Sequence, residues 1–233
     1  LFVEHDHTSP PGPVAAAFTR RGFDVDEVII VPAERFDSPG VPLNLPDATG
    51  YDVVVPMGAP WSAVPGRDAN IASWLLPELQ WLRQAQEADV PILGICFGGQ
   101  LLARAMGGQV GKSPRAEIGW TRVESDRPDL VAPGPWFEWH YDRFTPPPGA
   151  TEIARNDVTS QAYIVGRSLG VQFHPELTAD GLQGWLDHGG AALARAAGLD
   201  PDELLAQTKS VEAEAAQRAD ALVGAFLTDV AGL

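Results

Sequence analysis

Pro91-Ile92-Leu93-Gly94-Ile95-Cys96-Phe97-Gly98-Gly99-Gln100 is the stretch of this chain that decides its fold. The apolar run from Val90 to Ile95 is too short for a buried helix and reads as a strand covered on both faces. It passes directly into a glycine-flanked cysteine and then into a helical stretch, Gly98 to Met106, that closes at Gly107-Gly108. A strand, a sharp turn and a helix with a nucleophile at the turn resemble the nucleophile elbow, which lifts a reactive side chain out at the end of a sheet. Gly94 and Gly98 remove side chains that would collide at so tight a turn. Free N–H groups and the positive end of the helix dipole lie behind Cys96, and both favour thiolate over thiol. The competing reading is a buried structural cysteine. Glycines on both sides favour the nucleophile.

Outward from this segment the chain alternates β-branched runs with helical stretches, as in a mainly parallel sheet with helices on both faces. Leu1 to Val3 reads as the end of a strand, Pro13 to Arg21 as a helix, Asp26 to Val31 and Asp52 to Pro56 as strands. Trp74 to Ala88 has Leu75, Leu79 and Leu82 at helical spacing. From about Gly111 to Gly170 the texture changes to short apolar runs with turns, Pro146-Pro147-Pro148 among them, which implies antiparallel strands. Leu169 to Phe173 is a further strand. From Ala191 to about Val230 the Ala-, Glu- and Leu-rich sequence reads as one or two helices. The expected organisation is a domain over residues 1–190 and a helical extension over residues 191–233 packed on it.

A thiolate nucleophile needs a base, and the base needs an orienter. Of the five histidines, His174 follows the apolar run Gly170 to Phe173 and, like Cys96, sits at a strand end, where sites gather in open α/β sheets. Pro175 holds His174 extended, and Glu176 is placed to fold back toward the imidazole. The remaining candidates are weaker. His5-Asp6-His7 could be metal ligands, but with no third cluster they read as a solvated loop, so no metal is expected. His188 before Gly189-Gly190 reads as a helix end. Lys112 and Arg115 could meet a substrate carboxylate or be merely solvated. Trp61, Trp120 and Trp139 are the tryptophans expected to face a cleft.

Gly-Ile-Cys-Phe-Gly-Gly-Gln, followed about eighty residues later by Val-Gln-Phe-His-Pro-Glu, resembles the class I glutamine amidotransferases and their Cys–His–Glu triad. More narrowly, the chain is similar to stand-alone bacterial GMP-synthase-like glutamine amidotransferases. Glu117-Ile118-Gly119-Trp120, Trp139-His140-Tyr141-Asp142 and Gly58-Ala59-Pro60-Trp61-Ser62 support that, and the match runs to about Asp187. The resemblance implies a three-layer, flavodoxin-like α/β fold with a small antiparallel element and a C-terminal helical extension. It implies Cys96 as nucleophile, His174 as base and then acid, and Glu176 as orienter. It further implies an oxyanion hole from the backbone of Phe97 and of Gly58 or Ala59, with Gln100, Trp139 and His140 on the substrate. The family loop usually reads Gly-Gly-Pro. If its second N–H enters the hole through a positive φ, Ala59 resists that turn by roughly 1–2 kcal/mol.

Composition bounds the rest. The chain has 233 residues, and 16 basic against 31 acidic residues give a net charge of −15. That surface repels phosphate backbones and anionic lipid, so neither nucleic acid nor membrane is an expected partner. One cysteine excludes an internal disulfide framework. No signal segment is visible at Leu1-Phe2-Val3, although the missing initiator Met implies that the true start lies upstream, and a cytoplasmic protein is expected. Gly107 to Lys112 lacks P-loop spacing, no nicotinamide fingerprint occurs, and no cofactor is expected. Three functions follow. One is a glutaminase subunit feeding ammonia to a separate synthetase chain, a second a free-standing γ-glutamyl peptidase or hydrolase. The third is a non-catalytic binding or regulatory protein on the same scaffold.

Overall fold

The computed structural model describes all 233 residues. The first half of the chain supplies β1 (Phe2–Glu4), α1 (Gly12–Arg20), β2 (Glu27–Ile29), β3 (Val55–Pro56), α2 (Ala72–Glu87), β4 (Leu93–Ile95) and α3 (Phe97–Ala105). Five strands follow: β5 (Gln109–Ser125), β6 (Gly134–Thr145), β7 (Thr151–Arg155), β8 (Ser160–Val165) and β9 (Ser168–Val171). Three helices end the chain, α4 (Ala179–Trp185), α5 (Ala191–Ala196) and α6 (Pro201–Ala225).

Strands β2-β1-β3 pair in parallel, and a single parallel bridge from Val54 to Ile92 carries the sheet on to β4. It then continues β4-β9-β8-β7-β5-β6, parallel between β4 and β9 and antiparallel beyond. The expected three-layer α/β arrangement is present. Phe2, Val55, Leu93, Ile95 and Val171 face α1 and α6, whereas Val3, Val54 and Ile92 face α2 and α3. This alternation is the two-residue period of a strand buried on both faces.

The structure corrects several boundaries. The strands read over Asp26 to Val31 and Asp52 to Pro56 shrink to Glu27–Ile29 and Val55–Pro56, because β1 between them offers only three residues to pair with. Helix α4 was not expected. Its signal was present in Thr178, whose hydroxyl accepts the Gly181 N–H at 3.0 Å as an N-cap. Helix α6 starts at Asp200, whose carboxylate caps the Asp202 N–H, with Pro201 in the first turn. Leu222, Val223 and Phe226 then bury in the same core as α1, and Arg20 and Arg21 both reach Asp220 at 2.7 Å. No helix is long and apolar enough to cross a membrane.

Candidate active site

Cys96 is the residue between β4 and α3, and it adopts φ 49° and ψ −104°. A non-glycine residue in that region is strained, on the order of 1–3 kcal/mol, and persists only when its surroundings enforce it. They do so here on three sides. The Cys96 N–H donates to Val171 at 2.8 Å, the Gly98 N–H to Met57 at 3.0 Å, and the Gln100 N–H to the Cys96 carbonyl at 2.9 Å. Gly98 is obligatory because a Cβ there would lie 1.9 Å from the Pro56 oxygen. Phe97 takes the first helical position, so its N–H has no carbonyl within the helix to bond.

Strand β9 is the hydrogen-bonded neighbour of β4, with Gly94 opposite Gly170 and Ile95 opposite Val171. His174, just past its end, is fixed by its own N–H donating to Phe137 at 2.8 Å. Its Nδ1 lies 2.6 Å from Glu176 Oε1, so the carboxylate does fold back across Pro175. Its Nε2 makes no hydrogen bond. Burial opposes the charged imidazole, but the Glu176 carboxylate and the neighbouring sulfur of Cys96 hold its pKa well above the ordinary value. Gln172 Nε2 lies 3.6 Å from the Cys96 sulfur. Gly58 presses on the same pair, since a Cβ there would come within 3.1 Å of His174 Cε1.

Cys96 and His174 line a cavity of about 340 Å³, within the usual range of small-molecule sites. Ala59, Phe97, Gln100, Trp139 and His140 all line it. Gln100 donates to the Asp142 carbonyl at 3.1 Å, and Ser62 donates to the Asp142 carboxylate at 2.5 Å. His140 is buried between Glu117 at 3.1 Å and Glu138 at 3.2 Å. Burial opposes its charge, yet the two carboxylates raise its pKa to about 10, while burial raises that of Glu138 to about 7.

Other expectations are corrected. Trp120 does not line the cavity; its indole N–H donates to Thr208 at 3.0 Å. Trp185, unexpected because α4 was unexpected, lines it instead and packs edge-on against His174 at 5.0 Å. Lys112 and Arg115 are exposed and away from the cavity, whereas Arg67 borders it. Ala59 does not have a positive φ. The loop carries no left-handed strain at that position in this structure. His5 and Asp6 are wholly buried, so His5-Asp6-His7 is no solvated loop, and no three His, Cys, Asp or Glu side chains converge as metal ligands. His188 does mark a helix end, a turn between α4 and α5 that Gly189 closes at φ 101°, and it borders the cavity.

A mixed sheet with a strained cysteine at a strand-to-helix turn of its parallel part, beside a carboxylate-held histidine, defines a class of enzyme. The family profile described as glutamine amidotransferase class-I matches residues 65–183, and the chain belongs to that family. It is 36% identical over 156 residues to the glutamine-hydrolyzing GMP synthase of Aeropyrum pernix, a match covering 64% of this chain and 28% of that protein. It is 34% identical over 147 residues to one subunit of the glutamine-hydrolyzing GMP synthase of Ignicoccus hospitalis, covering 58% of this chain and 73% of that one. Among solved structures, a glutamine amido transferase from Methylobacillus flagellatus superposes with a TM-score of 0.82 at 27% identity, over 98% of this chain and 94% of that one. A glutamine amidotransferase from Thermotoga maritima, at 24% identity and a TM-score of 0.81 over 97% of this chain and 96% of that one, shares the fold.

Proposed function

We propose that this chain cleaves the γ-amide of glutamine or of a γ-glutamyl conjugate, with Cys96 as nucleophile, His174 as base and then acid, and Glu176 as orienter. The observation that carries this reading is the state of His174, one ring nitrogen held by Glu176 and the other unengaged beside Cys96 in the cavity floor. The Cys96 sulfur adds to the amide carbon, and the oxyanion is met by the N–H groups of Phe97 and Ala59. His174 gives a proton to the leaving nitrogen as the C–N bond breaks, leaving a γ-glutamyl thioester. Water, deprotonated by His174, then displaces the sulfur and releases glutamate. Gln100 and His140, which line the cavity, hold the glutamyl group, and Trp139 borders both it and the leaving amine.

Relatives that are separate subunits of a GMP synthase support a first version, in which the released ammonia passes to a distinct synthetase chain. One observation favours a second version, a free-standing γ-glutamyl peptidase. The leaving nitrogen departs on the His174 side, and there Trp185 and Trp139 stand edge to face at 5.9 Å, with Leu193 also lining the cavity. Ammonia needs no such wall, whereas an apolar amine substituent would pack on it. The unengaged Nε2 of His174 counts against a non-catalytic scaffold.

The test is turnover of glutamine beside a series of γ-glutamyl amides, with mass spectrometry for a glutamyl adduct on Cys96. Glutamine as the preferred substrate supports the first version. A preference of about tenfold or more for arylamides, reduced by Trp185→Ala, supports the second. Absence of both turnover and adduct would leave only the non-catalytic scaffold.

A further inference from the structure

Under the Gly58-Ala59-Pro60 loop lies a further buried histidine–carboxylate pair, 73 residues apart in sequence. His5, on the loop after β1, and Glu78, on α2, are both 0% exposed. His5 Nε2 lies 3.1 Å from Glu78 Oε1, and His5 Nδ1 lies 3.2 Å from the Gly58 carbonyl oxygen. A backbone carbonyl only accepts, so Nδ1 must carry a proton to bond Gly58, and an ionised Glu78 calls for a second on Nε2. The ring is wedged edge-on against Phe97 at 4.8 Å, with Trp74 at 5.5 Å.

All peptide bonds in the chain are trans. In a trans peptide the carbonyl and the following N–H point in opposite directions. The Gly58 carbonyl points down to His5, so the Ala59 N–H points the other way. Ala59 forms part of the cavity wall, and its N–H makes no hydrogen bond within the protein. We propose that His5 and Glu78 are positioning residues, which hold the Gly58 carbonyl down and thereby aim the Ala59 N–H into the cavity as an oxyanion donor. The inference rests on the reading of Cys96 as the nucleophile. One imidazole thus steadies both halves of the oxyanion hole, through the Gly58–Ala59 peptide on one side and the Phe97 ring on the other.

Stability alone explains the pair poorly. Buried ion pairs are often replaceable by packed apolar groups at no loss, and Glu78 Oε2 has no hydrogen-bond partner. A donating imidazolium polarises the peptide it holds, which makes the opposite N–H a stronger donor.

The experiment compares His5→Gln, His5→Asn and Glu78→Gln with the parent chain. The amide nitrogen of Asn stands near the place of Nδ1 and can still donate to Gly58. That of Gln reaches the place of Nε2, toward Glu78, and leaves Gly58 unheld. Loss of a whole oxyanion donor costs about 10²–10³ in turnover. A misaimed one should cost about 10–10² in kcat for His5→Gln with KM nearly constant, and His5→Asn should recover most of it. Glu78→Gln should fall between the two. A γ-glutamyl aldehyde, whose adduct with Cys96 places its oxygen in the hole, should lose affinity in step with kcat/KM. Alkylation of Cys96 by iodoacetamide builds no oxyanion and should keep its rate in all three variants. Unaltered turnover in folded His5→Gln would overturn the proposal. So would equal losses in the Asn and Gln variants accompanied by slowed alkylation, the mark of a merely structural role. A parent chain that neither turns over a γ-glutamyl amide nor binds the aldehyde would remove the function itself and this device with it.

Discussion

Two of the buried histidine–carboxylate pairs in the molecule, His5–Glu78 and His174–Glu176, have nearly the same composition and opposite character. In His5–Glu78 both ring nitrogens are engaged and aromatic rings close around the imidazole. In His174–Glu176 only Nδ1 is engaged, and Nε2 is left without a partner beside a cavity that also exposes Cys96. Burial and a neighbouring carboxylate act in both, and both pKa values are raised against the pull of burial. Proton transfer needs more than a perturbed pKa. It needs an unengaged nitrogen facing a space that substrate can enter. On the readings proposed above, the first pair holds a peptide still and the second moves a proton.

The sharpest way to break the comparison is at the reacting pair. Cys96→Ser and His174→Ala should each reduce γ-glutamyl turnover to background, a loss on the order of 10⁵–10⁶ by analogy with other triads. Steady-state kinetics with circular dichroism as the folding control provide the check, and measurable turnover by either folded variant removes the assignment.

Glu176→Gln should cost less, about 10–10³ in kcat, since a comparable serine triad loses about 10⁴ and a cysteine is intrinsically the stronger nucleophile. Wild-type turnover in Glu176→Gln beside a dead His174→Ala would leave His174 as base and dismiss Glu176 as its partner.

Glu4, next to His5, tests the sealed region by stability. Burial, then the nearby Glu27 and Asp6 charges, raise its pKa to about 7. The folded state therefore holds a proton that the unfolded chain releases near pH 4.5, and stability declines as pH rises from about 4.5 to about 7. Glu4→Gln should abolish that decline and be the more stable form above pH 7, by on the order of 1–3 kcal/mol. Urea titrations at pH 4.5 and 8 measure it, and parallel pH profiles for the two proteins would refute it.

The smallest effects are expected in the loop that lies between the pairs. Gly58→Ala sets a methyl against the His174 ring and should slow turnover about tenfold, since small misplacements of a reacting group are costly. Ala59→Gly should shift the rate less than this, because the Ala59 backbone is not in the left-handed region. A larger loss in Ala59→Gly than in Gly58→Ala would reverse the roles assigned to the two positions.

What the sequence alone determined is local. Gly94 to Gly99 encodes its elbow because strand, turn and helix are contiguous, and His174 with Glu176 is legible because two residues and a proline confine their geometry. The alternation that buries β1, β3 and β4 on both faces was likewise readable as apolar runs. Tertiary structure decided the rest. The pairing of β4 with β9 brings Cys96 to His174 across the antiparallel strands that intervene in sequence. His5 and Glu78 meet only when α2 packs on the sheet, so their spacing carries no signal, and the His5-Asp6-His7 segment looked like a polar loop. Trp185 enters the cavity because α4 folds back beside His174, while Trp120 turns toward α6. Cys96 and its neighbours in sequence are held by backbone rules that act over a few residues. The groups that surround it are chosen by packing, which a linear pattern does not express.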